Sequence, residues 1–292
     1  MKFNKLFVLL LLGVFLISFA SAVECGVTPT DGCTVSTSTT FNNGIYNFSE
    51  TISIIGNNII LDCGESTINY AYNGSNSTYG FRISAHTNIT IKNCILNNLN
   101  NSGINDRGIY ASSSSNINIT NNTIYTSTNL SKGIALDGIN NSFIYDNNIV
   151  VNSTNSHGIS LISTSQNNNI YGNNITGIQQ FNLDDTINFN AYGIWIRDVN
   201  TFNNSIYNNN INTSGSFGHG ISLELGTRDN LIYDNLIYTN GYYGQGIRFW
   251  TSTNDNLAYG NNITTYNDGS NGFRLDNAGG GNNFTGNNIL TY

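Results

Sequence analysis

Proline occurs once in the 292 residues, at Pro29, charged residues make up only 9%, and the single methionine is the initiator. With one proline and no apolar run at the 3.6-residue period, nothing divides the chain with a linker or supports a helical architecture. Lys and Arg number 10 against 17 Asp and Glu, a net charge of −7. Binding along a phosphate backbone needs a basic footprint, so nucleic acid is excluded as an expected partner. Copper handling would ask for Cys, Met or clustered His, and here His86, His157 and His219 are scattered. Beyond the first residues no stretch approaches the roughly 20 apolar residues that cross a bilayer, so no transmembrane segment is expected in the mature chain.

The N terminus has Lys2 and Lys5, an apolar run from Leu6 to Phe19 and the small-residue end Ala20-Ser21-Ala22. This is the layout of a secretory signal peptide over 1–22. Composition is uniform from Phe41 onward, which predicts a cap segment over 23–43 and one domain over 44–292. Export makes disulfides the default state of Cys25, Cys33, Cys63 and Cys94. Four cysteines allow three connectivities. The stretches "NIILDCG" and "NITIKNCI" are one element a repeat apart, which predicts Cys63–Cys94, with Cys25–Cys33 closing the cap. These two cysteines are offset by one residue, so their pairing needs a corner or bulge.

A glycine followed by Ile or Phe recurs at Gly80, Gly108, Gly133, Gly158, Gly193, Gly220, Gly246 and Gly272, with gaps of 28, 25, 25, 35, 27, 26 and 26 residues. Each repeat continues through a polar turn to a phrase such as "IYGNNI" (Ile170 to Ile175) or "IYNNNI" (Ile206 to Ile211). Short alternating runs rich in Ile and Tyr are strand signals. At this period each strand must pair with its counterpart in the next repeat, which predicts a solenoid of parallel strands. Asn tolerates the left-handed backbone of a sharp corner, and its amide both donates and accepts. Stacked about 4.8 Å apart, such amides form a ladder; roughly nine coils from Gly44 to Tyr292 make a rod about 43 Å long.

With these repeats, and with "NNIILDCGESTI" (Asn57 to Ile68) followed by "YGFRISAHTNITIKNCIL" (Tyr79 to Leu96), the chain resembles the pectin-lyase-like superfamily. Its opening coils are similar to those of NosD-type exported proteins. The resemblance covers Phe41 to Tyr292. It implies an all-β fold, a right-handed single-stranded parallel β-helix with an internal Asn ladder. Such repeats are specific for fold and poor for function.

In polygalacturonases of that superfamily a "G-H-G" histidine, a "D-D" pair and an "R-I-K" arginine act together. Here "GHG" at Gly218 to Gly220 is similar, which points to His219, with Asp184 and Asp185 upstream and Arg248 in "GIRF" downstream. Against this, the residues before the repeat glycine read Tyr79, Arg107, Lys132, His157, Tyr192, His219, Gln245 and Asn271, with no aspartate. Lyase-type relatives use Ca²⁺, for which Asp184, Asp185 and Asp198 would be the oxygen ligands; the competing reading is solvated loop acids, because no fixed-spacing loop is present. No cofactor is otherwise expected.

Two aromatic columns stand out. Tyr145, Tyr171, Tyr207, Tyr233 and Tyr259 share a position that Ile91 and Ile119 fill in earlier coils, which predicts an inward stack, with an exposed sugar-binding stripe as the alternative. Two residues after the repeat glycine, an outward position holds Trp195, with Tyr192 and Arg197 beside it: a candidate glycan platform. The 35-residue repeat carries its surplus around Gly177 to Ala191, which must leave the stack as a loop near that platform. The fifteen N-x-S/T sequons are close to what 56 asparagines supply by chance, and Asn174 and Asn262 are assigned to the internal ladder. The expectation is an exported, extracellular or cell-surface protein that binds polysaccharide or packs into a surface assembly without catalysis. The alternative is a polysaccharide lyase, hydrolase or epimerase.

Overall fold

The computed structural model describes residues 23–72, 77–100, 103–178 and 191–292; the expected signal peptide lies outside them. Thirty short strands succeed one another, with no helix among the described residues. They form three ten-stranded sheets in which each strand pairs in parallel with its counterpart one repeat away. Pairing already begins at Thr34–Val35 and Thr39–Thr40, inside the segment expected to act as a cap.

Alternation decides what faces inward. On the face carrying the repeat glycines, the first face, Phe81, Ile109, Ile134, Ile159, Ile194, Ile221 and Ile247 form one buried column. Ile144, Ile170, Ile206 and Ile232 line the second face from within, and Ile149, Ile175, Ile211 and Ile237 the third. Each coil buries one face against its neighbours above and below, so no coil could be stable alone.

The corner between the second and third faces explains the paired asparagines. Its left-handed residue is the one before the pair: Asn121, Asp146, Gly172, Asn208, Asp234 and Gly260 all have φ between 52° and 65°. The first Asn of each pair then turns inward. Asn122, Asn147, Asn173, Asn209, Asn235, Asn261 and Asn287 form a continuous ladder, each Nδ2 donating to the next Oδ1 at 2.8–3.0 Å. The second Asn of each pair points out; Asn174 and Asn262 are exposed, which corrects their assignment to the interior. A second ladder, unforeseen, joins Asn168, Asn204, Asn230, Asn256 and Asn282 at the preceding corner.

The disulfides are Cys25–Cys33 and Cys63–Cys94. Cys94 continues the first ladder, since its N–H donates to Asn122 Oδ1 at 3.1 Å. The corner that lets it meet Cys63 is built from left-handed Gly64, Glu65 and Asn93.

The tyrosine column requires a correction. Register pairs Tyr145 with Thr120, and Ile119 with Ile144, so Ile91 and Ile119 are not its equivalents. The five tyrosines are half-exposed on the outside of the second face, one residue out of phase with the core.

Candidate functional site

The repeat glycines set the site's floor. A Cβ on Gly193 would come within 2.6 Å of Gly220 O in the next coil and still closer to the Ile211 Cγ2 methyl. Only glycine lets the coils close here. The side chains immediately before these glycines therefore stack directly over one another.

His157, Tyr192 and His219 lie ring on ring, with centroids 5.0 Å apart at each step. Each histidine takes part in a further ladder through Nδ1. His157 accepts the Tyr192 N–H at 3.3 Å, and His219 accepts the Gln245 N–H at 3.0 Å. Gln245 Oε1 in turn accepts the Asn271 N–H at 2.9 Å. With Nδ1 accepting, the proton of a neutral ring sits on Nε2. Burial, and then Arg248 and Arg274, push the pKa of His219 well below the usual imidazole range. Burial and Lys132 do the same to His157. Both rings are thus neutral at ordinary pH, each with Nδ1 already engaged.

Beside this column runs the outward position two residues on. Trp195 pairs with Ser160 on one side and Ser222 on the other, and Ser222 with Arg248. His157 packs on Trp195 at 4.6 Å, and Arg197 lies over the indole at 5.3 Å. The buried Trp195 Nε1 and Ser160 Oγ have no hydrogen-bond partner. A buried donor left unpaired costs roughly 1–3 kcal/mol, a cost that Thr201, Thr227 and Thr253 carry elsewhere in the stack as well.

The next outward position places Arg197, Glu224, Trp250 and Asp276 on successive coils. Glu224 is buried, and its Oε1 accepts from Ser222 Oγ at 3.0 Å. Tyr192 contacts both Glu224 and Arg248; burial first, then Glu224, raises its pKa, so it stays a phenol. Arg248 donates from Nε to Asp276 at 2.9 Å, lies over Trp250 at 4.7 Å and brings Nη1 to 3.4 Å from His219 Nε2. Arg274 holds the other Asp276 oxygen at 2.8 Å. Burial opposes ionisation of Asp276, but the hydrogen bonds from Arg274 and Arg248 together hold its carboxyl below the usual range.

Of the residues expected from sequence, Tyr192, Trp195, Arg197, His219 and Arg248 share this face. Asp184 and Asp185 lie outside the described residues, as does most of the long insertion; strand pairing resumes in register at Ile194. Asp198 sits at the adjoining corner, where it accepts the Ser163 N–H at 3.1 Å. Among the described residues, no three His, Cys, Asp or Glu side chains group as metal ligands. Ser160, Ser222 and Arg274 fall in the outward column that holds Trp195, whereas Glu224, Trp250 and Asp276 were not foreseen. The two-residue alternation that gave Trp195 would have reached Glu224 and Asp276 one step further along each strand.

No protein-family model matches the chain, and no curated protein matches it in sequence. Solved structures do. A mutant of the periplasmic alginate epimerase AlgG superposes with a TM-score of 0.61 at 15% identity, over 88% of this chain and 70% of that one. The DFA-IIIase from Arthrobacter chlorophenolicus A6 without its lid gives 0.59 at 13%, over 88% and 65%. The Pseudomonas phage phi297 tailspike gp61 gives 0.51 at 15%, over 80% and 43%. The fold is a parallel β-helix. Its coils, and not a shared set of site residues, are what these likenesses show. The chain spans under two thirds of the DFA-IIIase and under half of the tailspike.

Proposed function

We propose that this β-helix is exported and binds an acidic extracellular polysaccharide along the first face, centred on Trp195 and Arg248. The observation that carries the reading is the run of arginines over aromatic rings along one face, Arg197 over Trp195 and Arg248 over Trp250. A donor-rich, cationic, partly aromatic strip suits a ligand that offers carboxylate and hydroxyl oxygens. The signal-like N terminus and two disulfides support export. The structural likeness to an alginate epimerase supports an acidic glycan as the ligand class.

Binding without turnover is favoured by what the histidines are doing. The His219 Nδ1 lone pair is occupied by a backbone N–H, so the ring holds no free basic nitrogen. Hydrolysis has a further obstacle. It needs a second carboxylate free to activate water, and both Asp276 oxygens are held by arginines. A lyase or epimerase is the second reading. It rests on Glu224, a buried carboxylate in contact with Tyr192 and one coil from Arg248.

The test is titration with oligomers of alginate and polygalacturonate and with neutral oligosaccharides, the products being analysed for cleavage and epimerisation. The parent should bind the acidic oligomers, more weakly as salt rises. Trp195→Ala and Arg248→Gln should each weaken binding roughly ten- to a hundredfold, the value of one charge-assisted hydrogen bond, with little change in thermal unfolding. Variants that bind like the parent would move the site off this face.

A further inference from the structure

The second face carries a feature that the acidic-glycan reading does not use. Tyr145, Tyr171, Tyr207, Tyr233 and Tyr259 stack outside it with ring centroids 5.0, 4.9, 4.8 and 5.0 Å apart and planes within 8°. Every inner ring face is covered by a neighbouring ring. What the column shows to solvent is a ridge of ring edges and phenol hydroxyls, one per coil. No protein group is hydrogen-bonded to any of these hydroxyls among the described residues.

Core packing does not account for the column. The same register position is filled by Thr120 in the coil before and Thr285 in the coil after, so the solenoid closes equally well without an aromatic ring there. Burial, then the neighbouring tyrosines and Asp146 or Asp234, raises the pKa of Tyr171 and Tyr233, which keeps these hydroxyls protonated as donors at neutral pH.

The surroundings limit the ligand. The left-handed corner beside the column reads Asp146, Gly172, Asn208, Asp234 and Gly260. On its other side the next outward position reads Phe143, Asn169, Ser205, Leu231 and Leu257. Neither flank has a Lys or Arg, and Arg228, at the corner preceding this face, is paired with Asp229. Carboxylates without a compensating cation repel a polyanion. The flanks thus disfavour a polyanion, and the ridge offers hydroxyl donors that repeat along the helix axis at the coil spacing.

We infer that the tyrosine column binds an uncharged, flat-ribbon β-1,4-linked glycan laid along the helix axis, with one sugar residue facing each coil. Such a ribbon is extended, and its repeat per sugar is close to the separation of neighbouring parallel strands. Because the ring faces are occupied, recognition runs through the phenol hydroxyls to sugar oxygens, and sugar rings do not stack on tyrosine.

This separates the site from an aromatic platform. Isothermal titration with cellohexaose is the test, using the full chain and a triple variant, Tyr171→Phe, Tyr207→Phe and Tyr233→Phe. The rings and their stack are retained while three hydroxyls are lost. The parent should bind, and the triple variant should bind at least about tenfold more weakly with unchanged circular dichroism and melting. Arg248→Gln should bind cellohexaose like the parent, so failure of the acidic-glycan reading leaves this result intact. Three results would each overturn the inference: no cellohexaose binding by the parent, equal binding by the triple phenylalanine variant, or competition by alginate oligomers for the same site.

Discussion

Asn209→Leu should lower the free energy of unfolding by about 4 kcal/mol, although the replacement is of similar size and more apolar. The Asn209 amide makes five polar contacts inside the coil stack, one of its two N–H groups being shared between two acceptors. Its Oδ1 accepts from the Asn173 N–H at 3.1 Å and from Asn173 Nδ2 at 2.9 Å. Its Nδ2 donates to Ile170 O, Tyr207 O and Asn235 Oδ1 at 2.9–3.0 Å. The surrounding site is buried. Leucine satisfies none of these groups, and each buried group left unpaired costs roughly 1–3 kcal/mol. Two of the five touch the neighbouring ladder amide, so the loss spreads along the column. Asn210, the next residue, is exposed, and its Nδ2 makes one bond to Asn174 Oδ1 at 3.1 Å. Asn210→Ala should cost less than about 1 kcal/mol. Urea unfolding of the two variants measures the contrast, and equal effects would mean that the ladder does not hold the corner.

Gly193→Ala should destabilise by about 3 kcal/mol, opposite in sign to the usual effect of this change. Alanine for glycine commonly stabilises by restricting the unfolded chain, by roughly 0.4–1 kcal/mol. Here the added methyl meets Gly220 O at 2.6 Å and the Ile211 Cγ2 methyl. The carbonyl cannot retreat, because Gly220 O accepts the Ile194 N–H at 2.9 Å in the same stack. Overpacking of a close-packed interior typically costs 1–3 kcal/mol, and a backbone contact fixed on both sides belongs at the upper end, about 3 kcal/mol. Gly280 is the control, since a Cβ there meets nothing within 4 Å. Gly280→Ala should stay within about 0.5 kcal/mol of the parent. Thermal unfolding of both variants, checked by hydrogen exchange around Gly193, would show whether coil contact explains the recurring glycine.

Most of the architecture was legible because a solenoid writes each structural requirement into the chain many times. The inward isoleucines, the glycine before them and the asparagine corner each recur at one coil's spacing. What was misread turned on a single residue of phase. The tyrosines were aligned with Ile91 and Ile119, but the left-handed corner follows the tyrosine directly, so its true equivalents are Thr120 and Lys92. A one-residue shift in a strand exchanges inside for outside. The ladder from Asn168 to Asn282 was equally visible, at spacings of 36, 26, 26 and 26, but it stands among so many other asparagines that composition hid it.

The candidate site was only half legible. Tyr192, Trp195 and Arg197 lie close in sequence, and His219 and Arg248 were found through short motifs. Arg274 shares the repeat position of Trp195 and Arg248, and Glu224 follows the histidine motif, but only the stacking of coils shows that Glu224 and Asp276 stand beside the others. The histidine motif also has a plainer origin than catalysis. In three coils the side chain before the repeat glycine takes the next coil's N–H, and His157, His219 and Gln245 are the acceptors.

The central claim is that an acidic glycan lies across Trp195 and Arg248. A crystal structure of the chain with a uronate hexasaccharide tests it most directly. The account predicts sugar density along the first face, with carboxylates at Arg197 and Arg248 and the chain passing over Trp195. Saturating ligand with no density on that face, or with density only on the tyrosine column, would contradict it.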